Sequence, residues 1–322
     1  MTWKTIARRF LILIPQLIVL SLLIFILAQI MPGDALRGLV GPDVPAERIQ
    51  ELRAMHGLDD PWYIQYARWI TAIIFEGDFG QSLTHRRPVT VLIGERVGNT
   101  VRLSFLTALL TYLIAVPLGI IAAKRKGTAI DRGIMIYTFV SLSIPTVVFA
   151  LINLLMFSLR LGWFPVSGSV DATVAAGTFA HYASRLHHMI LPAITLALIS
   201  TTGVVYFLRG EIIDYETSDF VTTARSKGVP ENKVYTRHIL RNAILPVLGS
   251  AGPVIISMFA GSVFIESVFA YPGMGQLFIQ SIISRDFPVV NILIMFYAII
   301  TVVAMLITDI LITFVDPRIR IK

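Results

Sequence analysis

Few side chains in this sequence can do chemistry, and those few crowd into one polar stretch. Residues 217–246 read TSDFVTTARSKGVPENKVYTRHILRNAILP and carry Arg225, Lys227, Lys233, Arg237 and Arg241 against Asp219 and Glu231. Elsewhere the chemical inventory is thin. No G-x-x-x-x-G-K-[ST] occurs, so the chain has no P-loop with which to cradle ATP phosphates. The G-x-G inside Tyr271-Pro-Gly-Met-Gly275 is too short for a dinucleotide site. His187 and His188 are adjacent, hence on opposite sides of a helix, with no His or carboxylate four residues away. A polar interfacial pair fits them better than a metal site. Neither G-x-S-x-G nor H-E-x-x-H is present, which leaves hydrolase chemistry without an anchor. The absence of cysteine excludes disulfides, thiolate metal sites and Cys nucleophiles.

The elements that must carry the polar stretch follow from composition. The 322 residues are 55% hydrophobic and 15% charged, whereas a soluble domain carries about 25% charged residues. Long apolar runs make this an all-α, multi-spanning integral membrane protein. The net charge of +7 therefore reads as loop charge that orients the chain, not as a nucleic-acid surface.

Six spans are expected: Phe10–Ile30, Val101–Ala123, Ile134–Leu159 with Pro145 inside it, Ile190–Leu208, Val247–Phe269 and Val289–Phe314. Each is near the roughly 20 residues needed to cross a bilayer. The first exceeds a signal-peptide core of about 7–15 residues and lacks a good cleavage site, so it reads as a retained span. Met31–Thr100 is a long polar segment, with a short surface helix expected over Pro45–Met55. In Pro61–Phe75, Trp62, Tyr66, Trp69, Ile70 and Ile73 recur at helical spacing. That helix fits either a lipid interface or the core of a small extramembrane subdomain. Pro88–Gly98 reads as another short helix, and Arg160–Met189 shows no convincing period.

An even number of spans puts both termini on one side. The short segments there hold most of the basic residues, among them Lys4, Arg8, Arg9, Lys124, Arg125, Lys126, Arg132, Arg209 and Arg318. The short segments opposite hold Arg160, Arg185 and Arg285. Both termini and the polar stretch are thus expected in the cytoplasm. The organisation is a cytoplasmic N-terminus and first span over 1–30, an extracytoplasmic segment over 31–100, a five-span core over 101–316 with a cytoplasmic loop at 209–246, and a tail over 317–322.

Within the loop, Ser218 can cap a helix whose first turn holds Asp219, and Gly228 can end it in the left-handed conformation. Pro230 can open a second helix that Pro246 limits. Phe220, Val221 and Ala224 share one side of the first helix and can bury a small apolar face in a partner. Arg225 and Lys227 can then meet carboxylates at the rim. Gly228 permits a reversal that a Cβ would obstruct. Inside the spans ionisable groups are few: Glu266 near the outer end of the fifth and Asp309 near the inner end of the sixth. Glu266 reads equally as a gate or path residue and as a satisfied interfacial carboxylate. Gly249, Pro253, Ser257 and Gly261 repeat every four residues and share a helix face that can serve packing, a partner or a path.

Asp219-Phe-Val-Thr-Thr-Ala-Arg-Ser-Lys-Gly228, with Arg237-His238 and Arg241-Asn-Ala-Ile-Leu-Pro246 behind it, resembles the EAA loop of bacterial ABC importer permeases. His56-Gly-Leu-Asp-Asp-Pro61, Gly77-Asp-Phe-Gly-Gln-Ser82, Leu191-Pro-Ala-Ile-Thr-Leu196, Glu266-Ser-Val-Phe-Ala-Tyr-Pro-Gly-Met-Gly275 and Asp316-Pro-Arg318 are similar to the B-type permease subunit of oligopeptide and dipeptide importers. Asp219 stands where the loop's name residue is Glu. The resemblance implies a type I importer architecture and no enzymatic activity in this chain. It also implies a second permease subunit, two ATPase subunits that bind ATP and Mg, and an extracytoplasmic peptide-binding protein. No cofactor is expected in the chain itself. The resemblance assigns ATPase coupling to Asp219, Phe220, Thr223, Ala224, Arg225, Lys227 and Gly228. Ser257, Gly261 and Glu266 are candidates for a gate or translocation path. The same machine type imports nickel or other small solutes. A stand-alone secondary carrier is disfavoured by the lack of mid-membrane ionisable pairs, and a membrane scaffold without transport is the third reading.

Overall fold

The computed structural model describes residues 3–30, 59–244 and 263–315, with isolated positions in 45–54 and residue 256. Ser257, Gly261, Gly249, Pro253, Pro246 and residues 316–322 lie outside the described residues, as does most of the helix expected over 45–55.

Among the described residues the chain is helical, with a lone antiparallel bridge between Gln81 and Pro88. Helix α1 is Trp3–Ile30. Helix α2 is Trp62–Thr71, continuing with π-type bonds through Ala72–Glu76. Helix α3 is Val89–Lys124, so the short helix expected over Pro88–Gly98 and the second span are one element. Helix α4 is Ala129–Ser143, and α5 is Thr146–Asn153 with a π-helical continuation, Leu154–Arg160. Helix α6 is Phe179–Glu216 and takes in the last part of the segment in which the sequence shows no period. Helix α7 is Asp219–Ser226, and α8 comprises Glu231–Lys233, Val234–Ile239 and Leu240–Ala243. Helices α9 (Val263–Val268), α10 (Met274–Ile283) and α11 (Phe287–Val315) complete the set.

Helices α3, α6 and α11 are long and apolar enough to cross a membrane, and α4–α5 adds a fourth crossing if taken as one bent span. In α1, Ile14–Leu27 is apolar, and nearly all of 247–262 lies outside the described residues.

The frame is a parallel pair, α3 and α6. Leu103 shares a cluster with Met189, Leu191 and Ala193, while Ala123 at the far end shares one with Leu208 and Ile212. Small residues allow this contact: a Cβ on Gly119 would come within 3.2 Å of the Leu208 side chain. Helices α4 and α5 return between them. Pro145 was expected inside a single span, and the chain breaks there by 101°. The cause is local: Pro145 has no N–H for the helical ladder, and Ile144 before it is extended at φ −87, ψ 122. Each half still touches α6. Tyr137 donates to the Leu198 carbonyl at 2.7 Å, and Ala150 packs with Met189.

Helix α2 lies against α1 and the α3–α11 side at once. The Tyr66 and Ser21 hydroxyls meet at 2.7 Å, Phe25 contacts both Tyr66 and Trp69, and Ile73 is buried among Leu92, Leu277 and Val289. Its other side leaves Trp62, Tyr63, Ile74 and Phe75 exposed.

Two buried carboxylates tie distant segments. Asp286, in the turn between α10 and α11, accepts from the Ser82 hydroxyl and from the Leu83 and Thr84 amides at 3.0 and 3.1 Å. Arg86 (φ 52) and Arg285 (φ 57) flank this tie in the left-handed region, which costs a residue with a Cβ about 1–2 kcal/mol. Asp131 accepts two bonds from Arg209, at 2.7 and 2.8 Å, and a third from the Gly127 amide at 2.8 Å. This fork closes α4 onto α6. Replacing Asp131 with Ala is expected to destabilise the chain by about 2 kcal/mol, less than the ~3–5 kcal/mol of a fully buried pair because Arg209 is partly solvated. Thermal unfolding in detergent measures the loss, and the Asp131→Leu, Arg209→Met double variant is expected to recover most of it.

Candidate functional site

At the Lys124 end of the bundle, α7 and α8 form a helical hairpin. The turn between them has a purely local cause. The Val229 amide donates to the Ala224 carbonyl at 3.2 Å and the Gly228 amide to the Arg225 carbonyl at 2.9 Å, with Gly228 at φ +73. These two bonds are a Schellman closure, which takes glycine at the left-handed position. A Cβ on Gly228 would meet nothing within 4 Å. The glycine is therefore required by its dihedral angle and not by the crowding expected from sequence. Pro230 follows as the N-cap of α8.

The hairpin's apolar face is closed within the chain. Val221 and Ala224 are buried against Val234, Tyr235, Ile239 and Ala243 of α8, Leu208 and Ile212 of α6, and Ala123 of α3. The sequence grouped Phe220 with Val221 and Ala224 on one face. The structure separates them: Phe220 is 38% exposed and its ring leans on Tyr215 at 6.1 Å, while the other two face inward. The reason is the helical turn, since successive residues 220 and 221 stand about 100° apart.

Arg225 is likewise engaged inside the chain. It binds Glu231 at 2.8 Å and reaches Glu216 at 3.4 Å. Glu216 also accepts from the Tyr235 hydroxyl at 2.6 Å. Burial, and then the Glu216 carboxylate, push the Tyr235 phenol up to about 12, so Tyr235 stays a neutral donor. Lys124 completes the joint, donating to Asn232 at 2.7 Å with its ammonium 5.1 Å from the Tyr235 ring centroid. Ser218, expected to cap α7 with its side chain, donates instead to the Tyr215 carbonyl at 2.5 Å. Glu216, Tyr235 and Lys124 hold the hairpin but carried no signal in the sequence, because their partners are 9 to 111 residues away.

What α7 leaves outward is Asp219, Phe220, Thr222, Thr223, Ser226 and Lys227. Their hydroxyls are already bonded: Thr223 to the Asp219 carbonyl at 2.8 Å and Ser226 to the Thr222 carbonyl at 3.0 Å. The exposed face therefore offers a phenyl ring and threonine methyls, with one charge at either end. Covering such a face strands no hydroxyl.

Glu266 lies at the opposite end of the bundle. It has no accessible surface. Thr100 donates to its carboxylate at 2.8 Å, and the Gly275 and Gln276 amides donate at 2.7 and 3.1 Å. It thus sits on the N-terminus of α10, where backbone donors and the helix dipole meet an anion. Thr100 in turn accepts from the Met274 amide at 2.8 Å. The glycines of the YPGMG sequence have their explanation here. A Cβ on Gly273 would fall 2.4 Å from the carboxylate, and one on Gly275 would fall 2.7 Å from the Val263 Cα. Asn99, Tyr271 and Arg96 extend the staple, through Asn99 to the Pro272 carbonyl at 2.9 Å and Arg96 to Gln276 at 2.8 Å. Glu266 does not snorkel to the surface; fully buried, it fastens α9 and α10 to α3.

Comparison with known proteins agrees with this architecture. Residues 115–321 match the family described as binding-protein-dependent transport system inner membrane component, and residues 2–104 match the N-terminal region of such components. The chain is 38% identical over 316 residues to the oligopeptide transport system permease protein AppB of Bacillus subtilis, covering 98% of each. It is 33% identical over 315 residues to the glutathione transport system permease protein GsiC of Salmonella paratyphi A, again covering 98% of each. An inward-facing structure of the MetNI methionine ABC transporter superposes with a TM-score of 0.56 at 15% identity, covering 70% of this chain and 97% of that one. The last shows the fold, that of a type I ABC importer permease. With both halves matched and full-length relatives well above 30% identity, the chain belongs to the family of binding-protein-dependent transport system inner membrane components.

Proposed function

We propose that this chain is the transmembrane permease subunit of an ATP-driven importer for peptides. The observation that carries the reading is similarity along nearly the whole chain to permeases named for oligopeptides and for glutathione, itself a tripeptide. The chain would form half of the translocation path with a second permease subunit. Two ATPase subunits would bind ATP and Mg, and an extracytoplasmic binding protein would deliver peptide. The hairpin end, with Lys124, Arg125, Lys126 and Arg209, faces the cytoplasm together with both termini, following the bias of basic residues toward that side. The membrane is then the bacterial inner membrane.

Coupling runs through α7. Phe220 with the Thr222 and Thr223 methyls is the surface that enters a groove on an ATPase, and Asp219 and Lys227 are its charged ends. Ala224 and Arg225 serve the same coupling from the inner side. Val221 and Ala224 are packed on Leu208, Ile212 and Ala123, and Arg225 is pinned to Glu216 at the end of α6. A push on α7 therefore reaches α6 and α3 through close contacts. Glu266 keeps the far ends of α3, α9 and α10 together as the helices tilt.

The test is reconstitution of the permease pair with the ATPases and binding protein, reading ATP-driven uptake of labelled peptides against nickel. Uptake of nickel alone would move the substrate to the small-solute alternative, and uptake by this chain alone on an ion gradient would favour a secondary carrier. Phe220→Ala is expected to lower uptake about tenfold per ATP hydrolysed while leaving thermal stability near that of the parent, since loss of one interface anchor costs about 1–2 kcal/mol. Gly228→Asn, which tolerates the left-handed angle, is expected to retain uptake. Gly228→Val is expected to lose it, because its strain falls on the Schellman turn. Equal uptake by the Val variant would show that the turn is not part of coupling.

A further inference from the structure

The Asp286 tie has a feature that its structural role does not explain. Arg86 and Arg285, on either side of it, both hold left-handed backbone angles, and both are exposed. Glycine or asparagine would adopt these angles with less strain. Among the described residues nothing accounts for the arginines, and neither has an ion pair there. Their neighbours differ in this respect. Arg87 pairs with Glu95, and Arg96 binds Gln276. The backbone beneath the two is fixed, since the Arg86 amide donates to the Ser82 carbonyl at 3.0 Å and the Arg285 amide to the Ile282 carbonyl at 3.2 Å. Ser82 and Asp286 themselves are buried. Strained residues that gain nothing locally mark functional positions.

The surroundings select a partner. Exposed Ile282 and Ile283 stand three and two residues before Arg285, and exposed His85 directly before Arg86. Arginine is enriched in protein–protein contacts, whose fully buried centre is apolar. Helix α3 starts immediately after this loop and runs 36 residues to the hairpin. That is about 54 Å, against a hydrocarbon core of about 30 Å, so the Val89 end stands clear of the acyl chains on the side opposite the hairpin.

We propose that Arg86 and Arg285 form a paired basic docking point for carboxylates on the soluble binding protein. The proposal rests on the importer reading and adds to it where, and by which charges, that partner is held. Each guanidinium can take a carboxylate through two parallel N–H bonds. Because both arginines stand on fixed backbone, little freedom is lost when the contact forms.

The experiment uses the assembled permease–ATPase complex in nanodiscs of zwitterionic lipid. The probe is the soluble binding protein that supports ATP-driven uptake by the unsubstituted complex. Glycine suits both backbone positions, so Arg86→Gly and Arg285→Gly remove the side chains without disturbing the fold, which thermal unfolding checks. Each is expected to raise the Kd for the binding protein about 3–10-fold, and the double variant more, with a shallower dependence on salt. ATPase activity without binding protein is expected to stay unchanged. Unaltered affinity and salt dependence in the double variant would overturn the proposal. So would a loss that appears in discs of acidic lipid but not in zwitterionic ones, which would assign the arginines to lipid headgroups. If no binding protein supports uptake by the unsubstituted complex, the importer reading itself fails, an outcome separate from a defect confined to the glycine variants.

Discussion

A carboxylate removed from water has to be met by hydrogen-bond donors, and this chain uses that requirement at three of its joints. Glu266 is met by Thr100 and the first amides of α10, Asp286 by Ser82, Leu83 and Thr84, and Asp131 by Arg209 and Gly127. In every case the donors come from a segment far along the chain or from a tight connection beside it. An apolar contact can slide along a helix with little penalty, but a satisfied buried anion cannot, because each lost bond leaves a charge unsolvated. Packing among small residues brings α3 and α6 side by side. The carboxylates set the register of what is attached to them.

The hairpin at the Lys124 end follows a related logic. A helix of eight residues is too short to hold its shape in isolation. It is kept in place by Val221 and Ala224 inside and by the Arg225–Glu216–Tyr235 network at its edge. With those groups engaged internally, the outer face is left with Phe220 and hydroxyls already bonded to their own helix. Stability and recognition are thereby divided between opposite faces of two turns of helix.

Much of this was legible in the sequence. Runs of apolar residues gave the class, and the Gly228–Pro230 pair gave the hairpin. The polar stretch with its missing P-loop pointed to a transport subunit, a family that the comparisons bear out. What escaped was long-range. Glu266 was left open between a path residue and a satisfied carboxylate because its three donors lie in segments that show their proximity only after folding. Arg225 read as a rim charge because Glu216 belongs to the end of another helix. The phase of Phe220 relative to Val221 was missed for a different reason: two adjacent apolar residues on a short helix leave open which of them faces in. The length of α6 was hidden by Gly, Ser and His residues in its preceding segment, whose local preferences yielded to packing.

The break at Pro145 carries one more implication. Helix α4 ends at Ser143 and the next residue is extended, so the last carbonyls of α4 find no amide in α5. The break lies along α6 between Leu198, which meets Tyr137, and Met189, which packs with Ala150, well inside the length that crosses the bilayer. Hydrocarbon cannot solvate bare carbonyl oxygens. The side of the bundle that bears this break must therefore be wetted or covered by protein, and lipid tails are kept from it.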